Sequence, residues 1–196
     1  MVKGVRLILV VMGLIFLAGC AGKIPHMLVP DYDKMGMRLV AVLPVGNAQP
    51  DDVTASVLRT KLVEELYFKG YPKIPPKWID ERMASAPKDG GQGALTPQRL
   101  GKMLNVDAVL YTTLKESPRS VSFLYSPVAV DAEFELKSSK TGETLWRVRH
   151  SAVHRNFGLT RKSLELKVSQ DYEPAIEELL IRALQTLPDG PDAVGP

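Results

Sequence analysis

Cysteine is the residue to begin with, because the chain holds a single one and its setting is specific. Cys20 follows Leu17-Ala18-Gly19, after an uncharged apolar run from Leu7 to Ala18 and a positive start at Lys3 and Arg6. A charged n-region, a short apolar h-region and small residues before a cut are the grammar of a secretory signal. The apolar run is shorter than the roughly 20 residues that a spanning helix needs. Leu-Ala-Gly-Cys resembles a lipobox, in which the thiol takes a diacylglyceryl group as a thioether and the freed amino terminus is acylated. Residues 1–19 are therefore expected to be a signal peptide and Cys20 a lipidated first residue, held to membrane lipid. More than one acyl chain makes such anchoring stable, whereas a single chain binds only marginally.

Other residues capable of chemistry are poorly arranged for it. His150 and His154 are four apart, but their segment reads as strand, His26 is remote, and no carboxylate completes a metal set. Asp131, Glu133 and Glu135 suggest paired catalytic carboxylates, but they alternate along a strand and face arginines, which favours solvated ion pairs. Ser126 lies in Tyr-Ser-Pro without a strand–elbow–helix setting. Gly90-Gly91-Gln92-Gly93 follows no strand and carries no phosphate-loop lysine, so it reads as a connector. Trp78, Tyr67 and Tyr71 are candidate anchors for a protein partner, with core packing as the competing role. The expectation is no catalytic residue, no metal and no cofactor.

Composition points the same way. Removing residues 1–19 takes away Lys3 and Arg6 and no acid, so the formal net charge of +3 falls to +1. Nucleic-acid binding, which announces itself through a clustered basic face, is not expected. With its one thiol lipidated the chain has no disulfide, and residues 38–188 are long enough for one domain with a real core.

The elements follow from patterning. Residues 20–37 show no period and read as a tether, which extended would span about 55 Å. Arg38 to Val45 is a short apolar run, as in a strand covered on both faces. Asp51 and Asp52 open a helix with Val53, Val57, Leu58, Leu62 and Leu66 at helical spacing, ended by Gly70. Tyr71 to Pro75 is a strand candidate, and Pro76 starts a helix through Trp78, Ile79 and Met83. Thr96-Pro97 supplies an N-cap and an N1 proline for a helix burying Leu100, Met103 and Leu104. Val106 to Leu114 is a third strand. From Val128 to Leu136 even positions are apolar, and the odd positions from Asp131 are charged, so one face meets the core and one meets water. A turn at Lys140-Thr141-Gly142 pairs Leu136 with Trp146, Phe134 with Val148, Glu135 with Arg147 and Glu133 with Arg149, a register that satisfies both faces. Residues 154–168 carry no clear pattern. Asp171 to Leu187 is a closing amphipathic helix, and 189–196 is expected to be a disordered tail. The fold class is α/β: a small mixed sheet flanked by helices, with a β-hairpin and a C-terminal amphipathic helix.

Tyr32-Asp33, Val42-Leu43-Pro44, Lys69-Gly70-Tyr71, Asp107-Ala108-Val109-Leu110-Tyr111, and Thr141-Gly142 with Leu145-Trp146 resemble, in that order, a family of bacterial lipoproteins typified by genome-derived neisserial antigens. The resemblance implies a fold similar to the TolB N-terminal domain, CsgG and LpoB, all periplasmic and non-catalytic. It also implies a protein partner in the envelope: a CsgG-like lipoprotein assembly or a peptidoglycan synthase. Ala21, where aspartate would retain a lipoprotein at the inner membrane, implies the outer membrane by similarity to enterobacterial sorting. The competing function is a small-ligand or glycan module, with a cleft between Pro44–Asn47 and Thr112–Glu116.

Overall fold

The computed structural model describes residues 23–48, 53–86, 95–115, 125–157 and 172–193. Five strands form one mixed sheet: β1 (His26–Leu28), β2 (Val40–Val42), β3 (Ala108–Lys115), β4 (Tyr125–Ser138) and β5 (Thr144–Phe157). Their order across the sheet is β1-β5-β4-β3-β2, with β2 and β3 parallel and all other neighbours antiparallel. Among the described residues four α-helices accompany it: α1 (Val53–Phe68), α2 (Pro76–Ala84), α3 (Pro97–Leu104) and α4 (Tyr172–Leu184). The parallel pair dictates the first three, since joining parallel strands requires a crossover.

One face of the sheet is apolar along its whole width. Val40, Val42, Leu110, Phe134, Leu136, Trp146 and Val148 pack on Leu58, Leu62 and Leu66 of α1 and on Ile176, Leu179, Leu180, Ala183 and Leu184 of α4. Among the described residues the opposite face is covered only at the β2–β3 end, where Ala41, Leu43 and Val109 meet Ile79 of α2 and Leu100 and Leu104 of α3. Burial on both faces explains why β2 reads as an unbroken apolar run.

Helix ends follow their local chemistry. At α1, Gly70 takes a left-handed φ of +86°, its N–H bonds Tyr67 O, and Tyr71 N–H bonds Leu66 O. That is a Schellman closure, with buried Leu66 and Tyr71 as its accompanying apolar pair. At α3 the Thr96 hydroxyl accepts from Arg99 N–H at 3.3 Å ahead of Pro97. Val53 is largely exposed, and the buried stripe of α1 runs Ala55, Leu58, Leu62, Leu66 instead.

The hairpin register holds from Phe134–Val148 and Glu135–Arg147 through Leu136–Trp146, and then shifts by one residue at a bulge, so that Lys137 faces Thr144. Gly142 has φ +80° and donates to Ser138 O, as the turn requires. The strands extend further than their alternation, to Tyr125 and Phe157, so residues 154–157 continue β5.

Three sequence-based expectations need correction. Residues 20–37 are not one tether: β1 pairs His26, Met27 and Leu28 with Val148, Arg147 and Trp146, and a 3-10 turn at Tyr32–Met35 buries Tyr32. Tyr71 to Pro75 forms no strand, because Pro72 and Pro75 lack the N–H that a ladder needs. The C-terminal segment is docked through residue 193. Gly190 N–H bonds Lys69 O at 2.6 Å, Asp192 N–H bonds Gly70 O at 3.2 Å, and Lys69 pairs with Asp189. The Tyr71 hydroxyl links both ends of the chain, lying 3.0 Å from Tyr32 Oη and donating to Pro188 O at 2.9 Å. Burial raises both phenol pKa values above their ordinary 10.0.

Candidate functional site: the ionic half-face of the sheet

Beyond α2 and α3, no described element covers the second face of the sheet. Its surface is made by the odd positions of β4 and β5, Asp131, Glu133, Glu135, Lys137, Arg147 and Arg149, joined by Lys115 of β3. Period-two alternation puts them there, since the even positions of the same strands are committed to the core.

The charges are paired throughout. Arg149 holds Asp131 bidentately, Nη2 to Oδ2 at 2.7 Å and Nε to Oδ1 at 3.1 Å. Glu133 is taken by Lys115 at 2.8 Å. Glu135 binds Arg147, accepts from Thr144 Oγ1 at 2.6 Å and lies 3.3 Å from Lys137. Burial disfavours the Glu135 carboxylate, but the Thr144 hydroxyl, Arg147 and Lys137 outweigh it and hold its pKa below the ordinary 4.5. The same partner raises Arg147, and Asp131 raises Arg149. A carboxylate held ionised by fixed cations is poorly suited to proton transfer, for which a pKa near working pH is wanted.

The ion partners differ from the sequence reading at one point. Glu133 and Arg149 are cross-strand neighbours as expected, yet Arg149 reaches diagonally to Asp131 while Glu133 turns to β3. Diagonal neighbours on a sheet are within reach of long side chains. Lys115, Lys137 and Thr144 were not singled out from sequence. Parity along β3 places Lys115 on this face once β3 is known to pair with β4, and residues 116–124 between them carry no hairpin signal that gives the pairing away.

The remaining candidates are dispersed. His26 lies on β1 with Nδ1 2.8 Å from Ile24 O, while His150 and His154 lie along β5 opposite Ala132 and Val128. Among the described residues no group of three or more potential ligands is placed to hold a metal. Ser126 lies inside β4, paired with Asn156, not at an elbow. The glycines at 90–93 and Cys20 fall outside the described residues. Of the aromatics, Tyr71 is core, Trp78 packs on the smaller cluster under Arg82, and Tyr67 is half exposed beside Phe68. Between Pro44–Asn47 and Thr112–Leu114 the backbones are joined, Gly46 N to Thr112 O at 2.8 Å and Leu114 N to Gly46 O at 3.1 Å, where the ligand reading wanted a cleft. Glu116 is outside the described residues.

The family model described as "Putative lipoprotein GNA1162-like" matches residues 31–167, more than half of the chain. The chain belongs to this family. It is 26% identical over 152 residues to "Putative lipoprotein NMB1124/NMB1162" of Neisseria meningitidis serogroup B, covering 72% of this chain and 71% of that protein. The crystal structure of lipoprotein GNA1162 from Neisseria meningitidis superposes with a TM-score of 0.52 at 25% identity, over 68% of this chain and 94% of that one. The PelC dodecamer from Paraburkholderia phytofirmans shares the fold, with a TM-score of 0.51 at 12% identity over 83% and 96% of the two chains. Family membership agrees with the resemblance read from Tyr32-Asp33 through Leu145-Trp146, and the names of the family and of its relative support lipoprotein character.

Proposed function

We propose that this chain is anchored in the outer membrane through lipid on Cys20 and that its periplasmic domain is a non-catalytic interaction or assembly factor of the cell envelope. The observation that carries the reading is the ionic half-face: a sheet surface that no described helix covers, in which Asp131, Glu133 and Glu135 are each paired with a neighbouring cation. Such a surface offers charge complementarity and register to a macromolecular partner and no poised acid, base or nucleophile. Lipid anchoring supports the same reading, because confinement to a membrane raises the effective concentration of the domain toward partners held there. A CsgG-like lipoprotein assembly and a peptidoglycan synthase are the partner classes that the fold resemblance suggests.

Crosslinking in intact cells followed by mass spectrometry tests this directly. One dominant envelope protein is the expected product; a domain that captures no protein contradicts the interaction role. The absence of chemistry has its own test. A variant combining Ser126→Ala, His150→Ala, His154→Ala, Glu133→Gln and Glu135→Gln is expected to complement a deletion strain, provided that it melts and fractionates like the parent. A normally folded, normally placed variant that fails would mean that one of these groups is a ligand or catalyst.

A further inference from the structure

We infer that the β1 edge of the sheet is the surface that the domain turns to the bilayer, with Met27 and Leu28 seated at the lipid headgroup boundary. The inference rests on lipidation of Cys20 and adds to it an orientation. Only five residues lie between Cys20 and His26, the first residue of the sheet, so six steps of ~3.3 Å let the leash span at most about 20 Å. That is far less than a tether running to residue 37 would allow, and it ends on one particular edge.

The two edges of the sheet are built differently. At β2 the outer carbonyl of Val42 is taken by Arg59, whose Nη2 lies 2.9 Å away and whose guanidinium is fixed by both oxygens of Asp80 at 2.8 Å. β1 is the terminal strand on the other side, and its three residues are all exposed. Met27 is 43% and Leu28 36% exposed, although both are large and apolar. Successive strand residues point to opposite faces, so Met27 shares a side with Arg147 and Leu28 a side with Trp146, and the pair straddles the edge. Apolar groups are thus presented on both sides of the edge nearest the anchor. Exposed Lys23 lies between them and Cys20, suited to anionic headgroups. The acyl chains do the holding; two side chains at the boundary fix which way the domain faces. The β2 edge, four strand spacings or about 19 Å from β1, then points away from the lipid.

The test uses the full lipidated protein in vesicles containing brominated lipid. Lipidation consumes the Cys20 thiol, so Met27→Cys, Leu28→Cys and Lys77→Cys, the last on α2 beyond the far edge, each carry one environment-sensitive fluorophore. Quenching is expected at positions 27 and 28 and none at 77. Quenching at 77 instead of 27 and 28, or at none of the three in vesicle-bound protein, would overturn the orientation. Labels at 27 and 28 shielded from both bromolipid and an aqueous quencher would mean that protein covers this edge, and would overturn it too. Failure of the parent protein to float with vesicles would instead sink the Cys20 anchor and the orientation with it.

Discussion

Trp146 and Arg147 are adjacent in sequence and belong to opposite worlds. Trp146 is fully buried, packs against Phe134 with ring centroids 6.4 Å apart and donates its indole N–H to Thr186 Oγ1 at 2.9 Å. Arg147, on the other side of the strand, is half exposed and shared between Glu135 and Glu133. The same alternation runs from Val130 to Leu136 of β4 and from Trp146 to Ala152 of β5, so one hairpin carries a face that makes the fold and a charged face that is not part of its core. The contrast teaches where function is to be sought: the apolar face is fixed by packing, whereas solvent-exposed ion pairs as a class contribute little to stability and no described element covers the ionic face beyond α2 and α3.

The contrast predicts a steep gradient of mutational effect. Trp146→Ala is expected to destabilise most, by about 3–5 kcal/mol, through the cavity it opens and the loss of the indole hydrogen bond to Thr186 Oγ1. Denaturant unfolding measures it, and a loss below that of an ordinary surface substitution would mean that the helix-covered face is not the core. Gly142→Val is expected to cost about 1–3 kcal/mol, because φ is +80° there and a β-branched residue is strained. A Cβ at this site would also meet Gln98 Nε2, which donates to Thr141 O at 2.8 Å. An unchanged melting temperature would contradict the left-handed turn.

The smallest effect belongs to the ionic face. Glu135→Gln is expected to cost under about 1 kcal/mol at neutral pH, discounted for its solvent contact. Its sign with pH is fixed by the shift. The folded pKa lies below the ordinary 4.5, so the unfolded chain binds the proton first on acidification. The carboxylate therefore stabilises the fold above about 4.5, and that contribution fades as pH falls through the lowered folded value. Parent and variant melting curves should converge at acid pH; divergence there would mean that Glu135 is not held by Thr144, Arg147 and Lys137.

How much of this was legible depends on how local the signal was. The hairpin register was readable because Phe134, Glu135, Leu136, Trp146, Arg147 and Val148 satisfy two faces at once, and a one-residue slip would violate both. The helix ends at Gly70 and Thr96 were readable because each has its own backbone chemistry. Strand β1 was not: three residues between Pro25 and Pro30 are too few to show a period, and they are strand only because β5 offers an edge. Docking of residues 189–193 was equally hidden, since it relies on backbone N–H groups of Gly190 and Asp192 that any sequence carries. Within the ionic face, acids and arginines on one hairpin were foreseeable and Lys115 was not, because it arrives from a strand joined through residues 116–124.

Membrane placement of the domain depends on Cys20, and one labelling experiment addresses it. Cells fed a palmitate analogue and expressing either the parent or Cys20→Ala are compared by gel for label and for processing. Label on the parent, and an unlabelled, uncut precursor from Cys20→Ala, is the result this account predicts. A Cys20→Ala chain that is still labelled and cut at the same place would contradict it.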